Sequence, residues 1–138
     1  MTPEPTSYVS PLGDLIDLLT VTNLRLSHSV GNQDEVGTLR DVLIEDIERR
    51  FLSSQFSLSS ALNEIIVLAQ LNQEIWLLKD EMSLLDASSE QYKDCLVKAH
   101  QLNGVRNQVR NALNSIDAVA PKNSRSNTGT DGLERSYR

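Results

Sequence analysis

Residues 60–85, SALNEIIVLAQLNQEIWLLKDEMSLL, contain a long helical pattern that neither glycine nor proline interrupts. Apolar residues recur in this stretch at intervals of three and four positions, which is the period of an α-helix. A helix of this length extends ~39 Å. Its apolar positions form a stripe too wide for one partner, so we expect a central helix with neighbours on more than one side.

Three further helices are predicted around it. The first covers residues 12–30 and ends at Gly31 and Asn32, and the second covers residues 34–52. The serine-rich segment 53–60 is a loop with candidate caps for the central helix. The fourth helix begins near Ser88 and Gln91, whose spacing is that of a capping box, and it continues to residue 120 despite Gly104, which suggests close packing or a bend.

This pattern predicts an all-α fold with one domain over residues 12–120. Antiparallel helical hairpins would form a four-helix bundle or an elongated, coiled-coil-like bundle. Residues 1–11 contain three prolines and are expected to be an extended lead-in. Residues 121–138 are polar and aperiodic, which predicts a flexible C-terminal tail.

Composition narrows the classes of function. The chain has 138 residues and a formal charge of −6, of which the last 18 residues carry +2 and the rest −8, so nucleic acid is not an expected partner. Cys95 is the only cysteine, which excludes an internal disulfide and a multi-cysteine metal site. Without a signal peptide or an apolar run of membrane-spanning length, we expect a soluble, cytoplasmic protein that does not enter a membrane.

Several polar side chains fall on or beside the apolar stripes. A candidate polar pocket between helices comprises Asn72, Asp80, Asn103 and Arg106. The alternative is that the asparagines, with Asn23, are core amides that fix helix register, and that the arginines pair with acidic residues of another helix. No catalytic, cofactor-binding or metal-ligating motif appears, and neither His28 nor His100 has ligand spacing around it.

Three segments together resemble a group of uncharacterised helical proteins. These segments are GDLIDLLTVTNLRL from Gly13, LNQEIWLLKD from Leu71 and HQLNGVRNQVRN from His100, and the match covers most of residues 12–117. The group occurs in bacteria, sometimes near glycan-biosynthesis genes, and in tailed phages including those of cyanobacteria. Its tryptophan is usually followed by an acidic pair and an arginine, whereas Lys79-Asp80 and Ser83 stand here. The resemblance implies an all-helical fold and no particular activity.

Two functions from different classes follow as hypotheses. The first is a non-enzymatic protein that acts through protein–protein contacts, as an assembly, scaffold or accessory factor in a host cytoplasm or a virion. The long helices would overhang the short ones and expose an interface, with a homodimer as the first expectation and another protein as the alternative. The candidate interface residues are Trp76, Leu77, Leu84, Leu113 and Ile116, and Trp76 is expected to be largely buried. The second hypothesis is an accessory or enzyme-like protein of sugar or nucleotide metabolism that uses the polar pocket.

Overall fold

The computed structural model describes residues 10–118, which form four α-helices. The first helix, α1, spans Leu12–Ser27, α2 spans Gln33–Ser53, α3 spans Leu58–Ser83 and α4 spans Glu90–Ala118. The contacts between the helices are those of a bundle, which confirms the predicted all-α fold. Most of the predicted N-terminal lead-in and the whole of the predicted C-terminal tail lie outside the described residues.

Contacts between side chains fix the directions of the helices. Gly13 of α1 donates to Asn114 of α4, and Asp17 of α1 accepts from Arg106 of α4. The residue numbers rise along one helix as they fall along the other, so the two helices are antiparallel. Arg50, near the end of α2, donates to the carbonyl oxygen of Ser10, which directly precedes α1. Helix α1 is therefore antiparallel to both α2 and α4.

The helix that packs against all three others is α1, not α3. We predicted α3 as the centre because of its wide apolar stripe, and it does contact two neighbours, α1 and α4. One face of α3 nevertheless remains exposed, including Leu62 at 45% and Ile66 at 48%. The width of a stripe indicates how much apolar surface a helix offers, whereas the number of available neighbours decides how much of it is covered.

The main core lies where α1, α3 and α4 meet. Its completely or almost completely buried residues come in pairs from these three helices: Leu12 and Ile16, Ala61 and Leu68, and Val109 and Leu113. Partly buried residues surround this cluster, among them Phe51 of α2 and Phe56 of the following loop, whose rings meet edge to face with centroids 4.8 Å apart. A second, smaller apolar cluster of Leu78, Cys95 and Ala99 lies near the loop that connects α3 and α4.

The first helix ends three residues earlier than predicted. Helix α1 ends at Ser27, because Ser29 adopts a left-handed conformation with φ of 56°. The N–H groups of Ser29 and Val30 then turn back to the carbonyl oxygens of Leu26 and Arg25, at 3.3 and 2.8 Å. This is a Schellman motif with serine where glycine is usual. Gly31, which we expected to end the helix, also has positive φ and lies two residues later.

The side chains that cap α2 and α4 are not the ones predicted. Asn32 caps α2 by accepting a hydrogen bond from the N–H of Glu35 at 3.1 Å. Helix α4 is capped by Ser89, which accepts from the N–H of Tyr92 at 3.1 Å. Ser88, predicted for that role, instead donates to the carboxylate of Asp86. These hydrogen bonds to Ser88 lower the pKa of Asp86 and hold the loop in front of α4.

Gly104 does not have the packing role that its position suggested. A Cβ atom built on it would meet nothing within 4 Å, and its backbone lies on the exposed face of α4. The close approach occurs at Gly13, where a Cβ would lie 2.1 Å from the carbonyl oxygen of Arg110. Gly13 therefore allows α1 to lie directly against α4, and this contact positions the polar residues of the site.

Candidate functional site

Asp17 is the centre of a polar cluster between α1, α3 and α4. Only 5% of this residue is exposed. Its carboxylate accepts two hydrogen bonds from Arg106, from Nε at 3.0 Å and Nη2 at 2.7 Å, in the two-pronged geometry typical of arginine and carboxylate. It accepts two more, from Arg110 Nη1 at 3.3 Å and from Asn72 Nδ2 at 2.7 Å. We call Asp17, Asn72, Arg106 and Arg110 the ionic cluster.

The helix pairing brings these residues together. Arg106 and Arg110 are four residues apart and so project from one face of α4. The antiparallel approach at Gly13 sets that face opposite the first two turns of α1, where Asp14 and Asp17 lie. Arg110 thereby reaches both carboxylates, with Nε 3.6 Å from Asp14 and Nη1 3.3 Å from Asp17.

Neighbouring polar side chains make further hydrogen bonds with the ionic cluster. Arg106 Nη1 donates to the side-chain oxygen of Asn103 at 3.2 Å, and Arg110 Nη2 donates to that of Asn107 at 2.8 Å. Each arginine is thus held by the asparagine three residues earlier on the same helix. Thr20 accepts from Asn72 at 2.6 Å and donates to the backbone carbonyl of Asp17 at 2.8 Å.

The electrostatics of the cluster keep Asp17 ionised. Burial by itself raises the pKa of this carboxyl. Hydrogen bonds from Arg106 and Asn72, together with the charges of Arg106 and Arg110, lower the pKa by more than burial raises it, so the net shift is downward. An ionised acceptor surrounded by donors neither releases nor takes up a proton near neutral pH. Asp17 therefore has the properties of a structural counter-ion rather than of a general acid or base.

The structure brings together three of the four residues of the predicted polar pocket. Asn72 and Arg106 both bond to Asp17, and Asn103 bonds to Arg106. Asp80 is separate, because it lies on the exposed face of α3, where its backbone carbonyl accepts from Ser83. Among the asparagines, Asn72 is buried as expected of a core amide, Asn103 is half-buried and Asn23 is exposed.

Sequence reasoning missed Asp17, the residue that joins the cluster. It lies beside the apolar positions Leu12, Leu15, Ile16 and Leu19, and an acidic residue at the edge of such a stripe usually faces water. A signal was present in the two arginines spaced four apart on another helix, which require acidic partners. The predicted pairing of these arginines with acidic residues of another helix agrees with the contacts to Asp14 and Asp17.

The candidate interface residues divide into two groups. Leu77 and Leu84 are exposed, at 51% and 86%. Leu113 is completely buried and Ile116 packs against the main core, so the prediction that they face water in an overhang is wrong. The end of α4 lies beside α1 and α2, where Asn114 accepts from the N–H of Gly13 and Asp117 pairs with Arg50.

Most of the surface of Trp76 is buried, as predicted, although the side chain is not completely enclosed. Its ring stacks on that of His28, the residue that directly follows α1, with centroids 5.1 Å apart and planes inclined by 19°. The stack connects the end of α1 to the last third of α3. Trp76 thus contributes to the packing of these two helices while part of its surface remains exposed.

Other reactive groups among the described residues do not form a catalytic arrangement. Cys95 is buried, and burial together with the nearby carboxylate of Glu81 raises the pKa of its thiol, so it is the small core residue predicted. A depression of about 180 Å³ between α3 and α4 is lined by Lys79, Met82, Leu96, Ala99, His100 and Asn103. This volume is smaller than the roughly 300–1,000 Å³ of typical ligand pockets.

Residues 10–118 contain neither a candidate metal site nor a helix able to span a membrane. No group of three or more histidine, cysteine or acidic side chains in this range is arranged to hold a metal ion. In the same range, no helix combines the length and the apolar character that crossing a membrane requires.

The fold and the site define a class, that of an all-α helical bundle with an ionic cluster in its interior. No protein-family model matches the chain, and no curated protein or solved structure matches it. The resemblance to helical proteins of bacteria and tailed phages stays a prediction.

Proposed function

We propose that this protein is not an enzyme and acts through protein–protein contacts made by the outer face of α3. An assembly, scaffold or accessory role in a bacterial cytoplasm or a phage virion is the setting that the sequence resemblance implies. Self-association as a homodimer is part of the proposal.

The observation that carries the proposal is an exposed apolar face along most of α3. Seven exposed residues, spaced three or four apart, share this face, and we call them the α3 stripe: Leu62, Ile66, Ala69, Gln73, Leu77, Asp80 and Leu84. Four of the seven are large apolar side chains, which are between 45% and 86% exposed. Single exposed leucines are ordinary, but several large apolar side chains aligned on one exposed helix face are typical of a surface that another protein covers. Gln73 and Asp80 interrupt this face without separating it from the same side of α3.

The ionic cluster supports the proposal because it argues against the alternative, a protein that binds a sugar or a nucleotide in a polar pocket. Its carboxylate, guanidinium and amide groups bond to one another or to Thr20 and the asparagines beside them. Groups that are already paired stabilise the contact of α1 with α3 and α4 and are not free to bind a sugar or a nucleotide. Asp80, the fourth residue of the predicted pocket, belongs to the α3 stripe, so the geometry does not favour the metabolic alternative.

A pair of charge substitutions tests the proposal. Leu77→Glu combined with Leu84→Glu places two carboxylates on the α3 stripe, while both side chains are exposed enough to leave the fold intact. The matched control is Val42→Glu with Leu52→Glu on α2, where the exposed fractions are 48% and 78%, close to the 51% and 86% of Leu77 and Leu84. Circular dichroism should show equal helix content for the wild-type protein and both variants.

The readouts are sedimentation velocity of the pure proteins and affinity capture from cells that produce the protein. We expect wild type and the α2 control to self-associate or retain a common partner, and the α3 variant to lose that association. If the α3 variant keeps every association of the wild-type protein, or if wild type makes none, the proposal is wrong.

A further inference from the structure

The outer surface of α2 carries an excess of negative charge. The helix contains six acidic residues and three arginines. One of these arginines, Arg50, is turned inward, where it pairs with Asp117 of α4 and keeps only 15% of its side chain exposed. Asp41, Glu45 and Glu48 lie three or four residues apart on the outer side of the helix. Carboxylates at this spacing repel one another, so this side of α2 favours a positively charged neighbour.

Two apolar side chains border these carboxylates. Val42 and Ile44 line the same shallow depression of the surface and are 48% and 47% exposed. Among the described helices, α2 packs extensively only against α1, so no described helix covers its outer side. We call Asp41, Val42, Ile44, Glu45 and Glu48 the acidic α2 face.

The C-terminal segment, residues 121–138, begins close to the acidic α2 face. This segment lies outside the described residues, but the end of α4 defines where it starts. The ion pair of Arg50 with Asp117 holds the last turn of α2 against the last turn of α4. Pro121 has no N–H to continue the hydrogen bonds of a helix, and it disfavours helical geometry in the preceding residue. The chain can therefore turn away from the axis of α4 before its first basic residue.

The first basic residues of the segment are within reach of the carboxylates. Lys122 follows Asp117 by five residues, which span up to ~17 Å in an extended chain. Glu45 precedes Arg50 by five residues, or ~7.5 Å along α2, and a helix with its side chains is ~10–12 Å wide. Arg125, three residues beyond Lys122, can extend to the next turn of the same face.

The charge of the segment is opposite to that of the face. Residues 121–138 have a net charge of +2, from Lys122, Arg125, Arg135 and Arg138 against Asp131 and Glu134. The two charged residues that come first in the segment are both basic, and they are the ones closest to α2. Glu81, an exposed acidic residue of α3, lies near Cys95 at the start of α4, at the other end of the bundle. The acidic α2 face is therefore the nearer complement.

We infer that the C-terminal segment folds back along the outer side of α2 and that Lys122 and Arg125 pair with the carboxylates of the acidic α2 face. The segment has no periodic apolar pattern, so charge holds this contact and salt should weaken it. The contact gives α2 a second neighbour besides α1 and connects the end of α4 across α2. The inference is independent of the proposed function, because the α3 stripe takes no part in it.

Tryptic cleavage of the folded, full-length protein tests the contact. Trypsin cuts after Lys122 and Arg125, and the rate of cutting follows the fraction of molecules in which the segment is released. Glu45→Gln with Glu48→Gln keeps the size of both side chains and removes their charges. We expect cleavage after the two basic residues, followed by mass spectrometry at low salt, to become about threefold faster or more.

A matched control separates the contact from a general effect of charge. Glu90→Gln with Asp94→Asn also removes two exposed carboxylates that are four residues apart, but at the start of α4. It should leave the cleavage rate unchanged. Raising the salt concentration from about 0.05 to about 0.5 M should bring the wild-type rate close to that of the α2 variant, after correction with a short model substrate of trypsin.

A charge exchange gives a second measurement. Glu45→Lys with Glu48→Lys should release the segment, and Lys122→Glu with Arg125→Glu should release it as well. The four substitutions together restore opposite charges and should restore the contact. Backbone ¹⁵N–¹H NOE values of residues 123–130 report it without protease: they should fall in each double variant and recover in the combined one.

Four results would overturn the inference. The first two are equal cleavage of wild type and the Glu45→Gln, Glu48→Gln variant, and equal acceleration by the control pair. The third is protection that increases with protein concentration, because the segment then binds α2 of another copy. The fourth is a combined charge exchange that does not recover the NOE values. None of these results changes the proposed function, which depends on the α3 stripe.

Discussion

Replacement of Asp17 by asparagine should destabilise the fold strongly. The carboxylate accepts four hydrogen bonds, three of them from guanidinium groups. Asparagine has nearly the same shape, but it carries no charge and directs an NH₂ group toward the donors of Arg106 or Arg110. Two guanidinium groups would then lie in the bundle without their main counter-ion.

The magnitude follows from the number of bonds and their exposure. A hydrogen bond to a charged group contributes about 1.5–3 kcal/mol, and removing one partner of a buried ion pair costs about 3–5 kcal/mol. The side chains of Arg106 and Arg110 keep 26% and 31% of their surface exposed, so water compensates part of the loss. We expect Asp17→Asn to lower the free energy of unfolding by about 2–4 kcal/mol, a large share of a small domain's stability.

Urea unfolding at pH 7, followed by circular dichroism at one protein concentration, measures this difference. The control is Asp41→Asn, whose side chain is 69% exposed beside Arg40 and whose loss should change the free energy by less than about 0.5 kcal/mol. A double-mutant cycle with Arg106→Gln should give a coupling energy of about 1–3 kcal/mol. If Asp17→Asn unfolds within about 0.5 kcal/mol of wild type, the ionic cluster is not a structural element of the core.

Three further predictions concern acid stability and backbone geometry. The pKa of Asp17 is lowered in the folded state, so its contribution to stability is complete above the unfolded-state pKa of about 3.9 and is lost as pH falls through the folded-state pKa. The difference in unfolding free energy between wild type and Asp17→Asn should therefore shrink between about pH 5 and pH 2. A constant difference in urea titrations across that range would contradict the assignment. Gly13→Ala should lower the thermal midpoint sharply, since its Cβ would lie 2.1 Å from the carbonyl oxygen of Arg110. Gly104→Ala, whose Cβ would meet nothing within 4 Å, should instead stabilise the helix by about 1 kcal/mol. Equal effects of the two substitutions in calorimetry would show that α1 does not approach α4 so closely. Ser29→Gly should raise the free energy of unfolding by about 0.5–1 kcal/mol because it relieves a left-handed conformation, and a loss of stability in the same assay would refute that reasoning.

The sequence by itself determined the helices and their approximate ends. Periodic apolar residues, with turn residues between them, are local signals, and they placed α3 and α2 within about two residues of their observed limits. The errors lie at the ends. Helix α1 stops at Ser27 because Ser29 takes the left-handed conformation, and serine gives no such signal in a sequence. At the start of α4 two adjacent serines competed for the cap, and Ser88 is held by Asp86.

The tertiary structure alone decided which residues form the site. Asp17 reads as an exposed acidic residue, and it becomes the centre of the ionic cluster only because Gly13 lets α1 lie against α4. Asp80 reads as a neighbour of Asn72, yet the eight residues between them rotate its position by about 80° around α3, from the buried side to the exposed side. Periodicity fixes which residues share a face of one helix. The choice of neighbour for each face depends on how all the helices pack together, and that is a property of distant contacts.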